Sequence, residues 1–201
     1  MLARSALAFV FLLAACGTTE TRPQESDRVY HSGHGTWGDR QLIDFIVMPV
    51  VWIDPDIDST VPGGTAEDWT GPGYAIRGAV GNRDQSVGVL FQGAHVESDE
   101  SNVEIDCYAI YLDFDVSVAL TDGPTGFLLH AGAGMGAAQL IVNDPNYDDV
   151  TTGALNLRVD LEFAASPSFS FLAGLGGFAW GHPGETEALG TFIELGGRFL
   201  F

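Results

Sequence analysis

Residues Leu155 to Phe163 read LNLRVDLEF, and their alternation decides the fold. Leu155, Leu157, Val159, Leu161 and Phe163 occupy one set of positions; Asn156, Arg158, Asp160 and Glu162 occupy the other. A period of two places these sets on opposite faces of an extended strand, whereas a helix would mix them within a turn. The same rhythm sets Tyr108, Ile110, Leu112, Phe114, Val116, Val118 and Leu120 against Tyr111, Asp113, Asp115 and Ser117. It returns at Ile193, Leu195, Phe199 and Phe201, which oppose Glu194 and Arg198.

Outward from these segments, the chain beyond Arg40 carries apolar runs of strand type and no convincing helix. The runs predict eight strands, at Gln41–Asp54, Gly73–Arg83, Gln85–Glu97, Glu104–Leu120, Thr125–Val142, Thr151–Ala165, Ser168–Gly181 and Glu187–Phe201. Long connections are expected after odd strands: PDIDSTVPGGTAEDWTGP, SDESNV, NDPNYDDV and HPGETE. Tight ones are expected after even strands: the single Asp84, TDGP and SP. This is the layout of an all-β, antiparallel, up-and-down sheet with a turn end and a loop end. An even strand count puts both chain ends at the turn end.

The facing of the sheet decides its solvent. A soluble sandwich or barrel would bury the apolar face and expose the charges. The small residues favour the reverse. Gly132, Gly134, Gly136 and Ala138 lie behind Phe127, Leu129, Ala131, Ala133 and Met135, and Gly174 and Gly176 lie behind Phe171, Ala173 and Leu175. Small residues suit the crowded concave side of a closed sheet and bulky ones its convex side. With charge inside, the aliphatic band faces lipid, and closure removes the edges that a bilayer cannot satisfy. Outward aromatics gather toward strand ends, as interfacial girdles do: Phe45, Phe127, Phe163, Phe169, Phe171, Phe199 and Phe201 at the turn end, Tyr74 and Tyr108 at the loop end.

The beginning of the chain, MLARSALAFVFLLAACGTT, has Arg4 ahead of a short apolar run, a secretory-signal pattern too brief to span a bilayer. Leu13-Ala14-Ala15-Cys16 resembles the lipobox of bacterial lipoproteins, which implies cleavage before Cys16 and its lipidation. Gly17 follows where Asp would imply inner-membrane retention in enterobacterial lipoproteins. The organisation expected is a signal peptide over 1–15, a lipidated polar tether over 16–40 and a barrel over 41–201. With Cys16 lipidated, Cys107 has no partner for an intrachain disulfide. All eight basic residues are arginines, against 27 acids, for a formal charge of −19; loss of Arg4 makes it −20. Nucleic acid is excluded as a partner by repulsion of its phosphates. An apolar content of 46% excludes disorder.

The segment from Gln41 to Phe201 resembles the small eight-stranded outer-membrane β-barrels of the OmpA/OmpX class. The resemblance implies a monomer in outer-membrane lipid, with both termini periplasmic and the long loops extracellular. The Phe199 and Phe201 positions resemble the C-terminal signal read by the barrel-assembly machinery, a partner during biogenesis. A lipidated leader departs from the simple cleavable signal usual in this class.

Eight strands leave an interior filled by side chains rather than an open channel. The inward polar set is Asp44, Arg77, Asp113, Asp115, Arg158, Asp160, Glu162, Glu194 and Arg198, expected to form a paired polar core because buried charge is costly unless paired. Asp44 and Arg198 sit at matching heights on the two strands that must meet. Six acids against three arginines leave some carboxylates protonated, hydrated or near a cation. No cofactor is implied. Asp54, Asp56 and Asp58 in DPDIDS begin like a calcium-binding loop, but Ser59 and Thr65 stand where its Gly and Glu belong, leaving a weak metal candidate. The acidic loops remain available to divalent cations or a surface ligand. Ser170 and His130 point inward at the turn end, and no nucleophile stands at a workable spacing from His95 or His182, so an enzyme is not expected. The expected role is structural or surface-interacting. The alternative is a soluble, periplasmic, lipocalin-like lipoprotein barrel with an apolar ligand inside.

Overall fold

The structure, a computed structural model, describes residues 40–54, 69–82, 84–98, 104–121, 126–143, 149–182 and 185–201. Eight strands make it up: β1 (Arg40–Asp54), β2 (Trp69–Gly81), β3 (Gln85–Ser98), β4 (Glu104–Ala119), β5 (Gly126–Val142), β6 (Val150–Ser166), β7 (Phe169–His182) and β8 (Glu185–Leu200). Each pairs antiparallel with its sequence neighbour, and β1 pairs with β8, so the sheet is a closed barrel. The seam runs from Leu42↔Leu200 to Asp54↔Leu189 and is prolonged by Phe201 N–H donating to the Gln41 carbonyl at 2.9 Å.

Several boundaries differ from the sequence reading. β2 starts at Trp69 rather than Gly73, because Pro72 does not end the strand. The β1–β2 register shifts between Met48 and Val51, across Pro49, and Pro72 lies in the facing gap. Two residues without an N–H thus share one irregularity and cost the ladder little elsewhere. The expected long loop after the seventh strand also shortens: pairing continues to His182↔Glu185, leaving only Pro183 and Gly184 between β7 and β8. β1 begins at Arg40, one residue inside the expected tether.

Facing follows the alternation. Leu157 is 66% exposed on the outer wall and its neighbour Arg158 only 4% exposed in the lumen. The outer wall presents a continuous aliphatic and aromatic band that includes Leu112, Val118, Met135, Leu157, Leu175 and Leu195, all exposed. A surface of that kind is unsuited to water. A soluble lipocalin-like barrel requires the opposite facing, which this chain does not have. Ring contacts mark both rims of the band. Phe169 packs on Phe171 and Phe199, Phe199 on Phe45, and Phe127 on Phe163 at the turn end; Phe91 lies between Tyr74 and Tyr108 toward the loop end.

The lumen has two storeys. Its turn-side half is charged. Its loop-side half is an apolar cluster that includes Met48, Val51, Ile53, Trp69, Val96, Ile105, Leu140, Phe178, Trp180 and Phe192, all buried. Trp180 stacks on Phe178 with ring centroids 4.2 Å apart and donates Nε1–H to the Tyr111 hydroxyl at 3.1 Å. This upper plug is absent from the sequence reading, which expects polar filling throughout.

Candidate functional site

The turn-side lumen is built from inward positions of every strand. Asp44 on β1 stands in register with Arg77 on β2 and Arg198 on β8. Arg198 grips Asp44 with two parallel bonds, Nε–H to Oδ1 at 2.8 Å and NH2 to Oδ2 at 2.9 Å, and reaches Glu162 Oε2 with NH1 at 2.6 Å. Arg77 lies 3.6 Å from Asp44 through NH1, donates Nε–H to Asp113 Oδ2 and donates NH2 to the Ser86 hydroxyl at 2.7 Å. Arg158 bonds Asp113 at 2.9 Å and Asp115 at 3.3 Å.

His130 completes the set. Its Nδ1 lies 2.9 Å from Asp115 Oδ1 and its Nε2 lies 2.7 Å from Glu162 Oε2. Two flanking carboxylates, which only accept, favour the protonated ring, the form that donates from both nitrogens. Ser170 on β7 donates its hydroxyl to Glu162 Oε1 at 2.7 Å. The result is a closed circuit of alternating sign: Asp44, Arg77, Asp113, Arg158, Asp115, His130, Glu162, Arg198 and back to Asp44. Ser86 and Ser170 bring in β3 and β7, so all eight strands contribute.

Two acids lie outside the circuit. Asp160 and Glu194 flank Gly174 in one row, Asp160↔Gly174↔Glu194. Arg158 Nε is 3.3 Å from Asp160 Oδ2, while Asp160 Oδ1 and Glu194 Oε1 have no hydrogen-bond partner among the described residues. Gly174 must be a glycine here: a Cβ would stand 2.1 Å from Asp160 Oδ1 and 2.5 Å from the Val159 carbonyl oxygen. Gly132 makes similar room for Arg158, whose Nε would lie 2.7 Å from a Cβ.

All nine inward residues expected from the sequence are buried, and eight of them sit in this network or bond directly to it, Glu194 being the exception. Phe199 and Phe201 are exposed on the outside, Phe201 to 74%. Cys16, Asp56, Asp58 and the Asp54 side chain lie outside the described residues. Alternation along β5 places His130 inward without counting it among the charges; the structure sets it in register with Ser117 and Asp160.

On the outer wall, at the loop-side ends of β3 and β4, His95 faces Asp106 and Glu97 faces Glu104. His95 Nδ1 is 2.7 Å from Asp106 Oδ1, and His95, Glu97 and Glu104 bring ligand-type atoms within 4.8 Å of one another. Nitrogen and carboxylate donors in this arrangement suit a divalent ion such as zinc or calcium only loosely, because all three are on the solvent-accessible rim.

No protein-family model matches the sequence, and no curated protein matches it. Solved structures do. Neisserial surface protein A (NspA) matches over 80% of this chain and 96% of its own, with a TM-score of 0.60 at 14% identity. Ail, the attachment invasion locus protein of Yersinia pestis, matches over 81% of this chain and 98% of its own, with a TM-score of 0.51 at 14% identity. The fold is that of the small eight-stranded outer-membrane barrels. At this identity the likeness extends to the fold alone.

Proposed function

We propose that the chain is a non-enzymatic, non-conducting barrel of the bacterial outer membrane, a lipoprotein anchored also through Cys16, with a structural or surface-interaction role. The observation that carries this reading is the inverted polarity of the sheet. A closed charge circuit fills the turn-side lumen and an uninterrupted apolar band covers the outside. Charge buried in mutual pairs fixes the interior; the band gains by contact with acyl chains. In this reading both termini are periplasmic and the long loops extracellular. The loop end is acidic, with Glu97 and Glu104 at the rim and further acids in the connections. That charge favours a cationic surface partner or divalent ions bridging to anionic lipid headgroups. Phe199 and Phe201 would be read by the assembly machinery.

The test is fractionation with gel mobility. The protein should pellet with outer membranes, resist extraction by salt and alkali, and migrate differently when boiled and unboiled, as a stable closed barrel does. Labelled palmitate should enter the wild type and not Cys16→Ala, which should still be in the membrane. A Cys16→Ala protein that is soluble without detergent would overturn the membrane reading; an unlabelled wild type would remove the lipoprotein part alone.

A further inference from the structure

The outer wall is not uniformly bulky. Rows of outward residues run around it through the ladder. One row reads Val159–Leu175–Ile193 across β6, β7 and β8, and the row below it Leu161–Ala173–Leu195. Above them the row Leu157–Gly177–Thr191–Trp52 has no side chain on β7 and a short one on β8. The next, Leu155–Ala179–Leu189, is again small on β7. The outcome is a pit of about 690 Å³ in the wall, floored by Gly177, Ala179 and Thr191 and walled by Leu157 and Trp52. Leu157 and Trp52 are three strand spacings apart, roughly 14 Å.

The pit cannot close from behind. Phe178 occupies the space over Gly190 on the lumen side, where a Cβ would stand 2.1 Å from its ring, and it stacks on Trp180 and lies 6.4 Å from Phe192. The floor is therefore strand backbone braced by a packed aromatic stack, and its two flanking strands are fixed by hydrogen-bonded ladders. A permanent recess in a wall that faces lipid must be filled by lipid. Apart from the Thr191 hydroxyl and the Trp52 indole N–H, the outward side chains that line it are hydrocarbon, and the recess is continuous with the lipid-facing band. It lies in the loop-side half, near the end of β1.

We propose that this pit is a binding site for one acyl chain of a lipid in the loop-side leaflet, held longer than the lipids around the rest of the wall. The proposal rests on the membrane reading above. It is tested with barrel delipidated, refolded in micelles and titrated with dipalmitoyl phosphatidylethanolamine, bound lipid being counted by native mass spectrometry. The wild type should show one lipid adduct at low lipid. Gly177→Leu and Ala179→Leu fill the recess, and a Cβ at Gly177 meets nothing closer than the Gly190 carbonyl oxygen at 3.2 Å, so the fold should tolerate it. Both should weaken that first adduct about tenfold or more, whereas Ala173→Leu, in a row below on the same strand, should not. Absence of a preferred first adduct, equal binding by the filled variants, or a wild-type dimer that the filled variants abolish would overturn the proposal. Heat-dependent mobility, measured on every variant, separates the outcomes: if the wild type lacks it, the membrane reading fails; if all retain it, a negative result falls on the pit alone.

Discussion

Arg198 holds three carboxylate oxygens on two other strands, two from Asp44 and one from Glu162, and all three residues are buried. Arg198→Ala therefore strands Asp44 and Glu162 in the lumen, at a cost of about 3–5 kcal/mol. Asp44→Ala added to it should recover part of the loss, because the neutral pair no longer buries an isolated charge. Strictly additive destabilisation in a urea-unfolding double-mutant cycle would show that the two do not interact. Glu194 provides the contrast. It stands across Gly174 from Asp160 outside the alternating circuit, so Glu194→Gln keeps the volume and offers Asp160 an N–H donor without adding a charge. That variant should unfold at equal or higher urea than the wild type, and a loss as large as that of Arg198→Ala would place Glu194 inside the circuit after all. Four acids in the circuit meet three arginines and His130. Counting arginines alone left this balance unseen in the sequence, since histidine's charge depends on what faces each ring nitrogen.

At the scale of elements, β6 shows why so much could be read. Its outward and inward positions differ in kind at every step from Leu155 to Phe163, so its facing follows from pattern alone. Environment-sensitive fluorophores on single cysteines should report this directly: a label at Leu157 or Leu161 should be quenched by lipids carrying a nitroxide on the acyl chain, and one at Asn156 should not. Equal quenching at all three would mean that the strand does not hold this facing. On β1 and β3 the pattern fails. Ile46, Met48, Val51 and Ile53 are buried while Val47 and Trp52 are exposed, and Leu90 is buried between partly exposed Val89 and Phe91. Both faces are apolar there, so alternation carries no signal and the upper plug is not legible from pattern. Pro72 misled for a local reason: a residue without an N–H reads as a strand end, unless a bulge on the neighbouring strand meets it. Strand number, order and the turn-side polar set were legible because each needs only a period of two and a closing pair.

For the whole molecule, the two storeys of the lumen decide permeability. The lower storey is polar but crossed from wall to wall by Asp44, Asp113 and Asp115 bound to Arg77, Arg158 and Arg198. The upper storey is largely apolar, with Trp180, Phe178 and Phe192 stacked across it below the loop end. Ions would have to break a buried ion-pair network and then cross hydrocarbon, two barriers in series. The barrel reconstituted in planar bilayers should thus show no discrete conductance steps. Trp180→Ala combined with Phe192→Ala removes most of the upper barrier and leaves the lower network in place, so steps should appear only once the circuit is also weakened, as by adding Arg158→Met. Any current through that triple variant should favour cations, because the inward acids outnumber the remaining inward bases. Steady conductance in the wild type would show that the lumen is open in the membrane. Conductance in the double variant with the circuit intact would locate the seal in the aromatic stack alone.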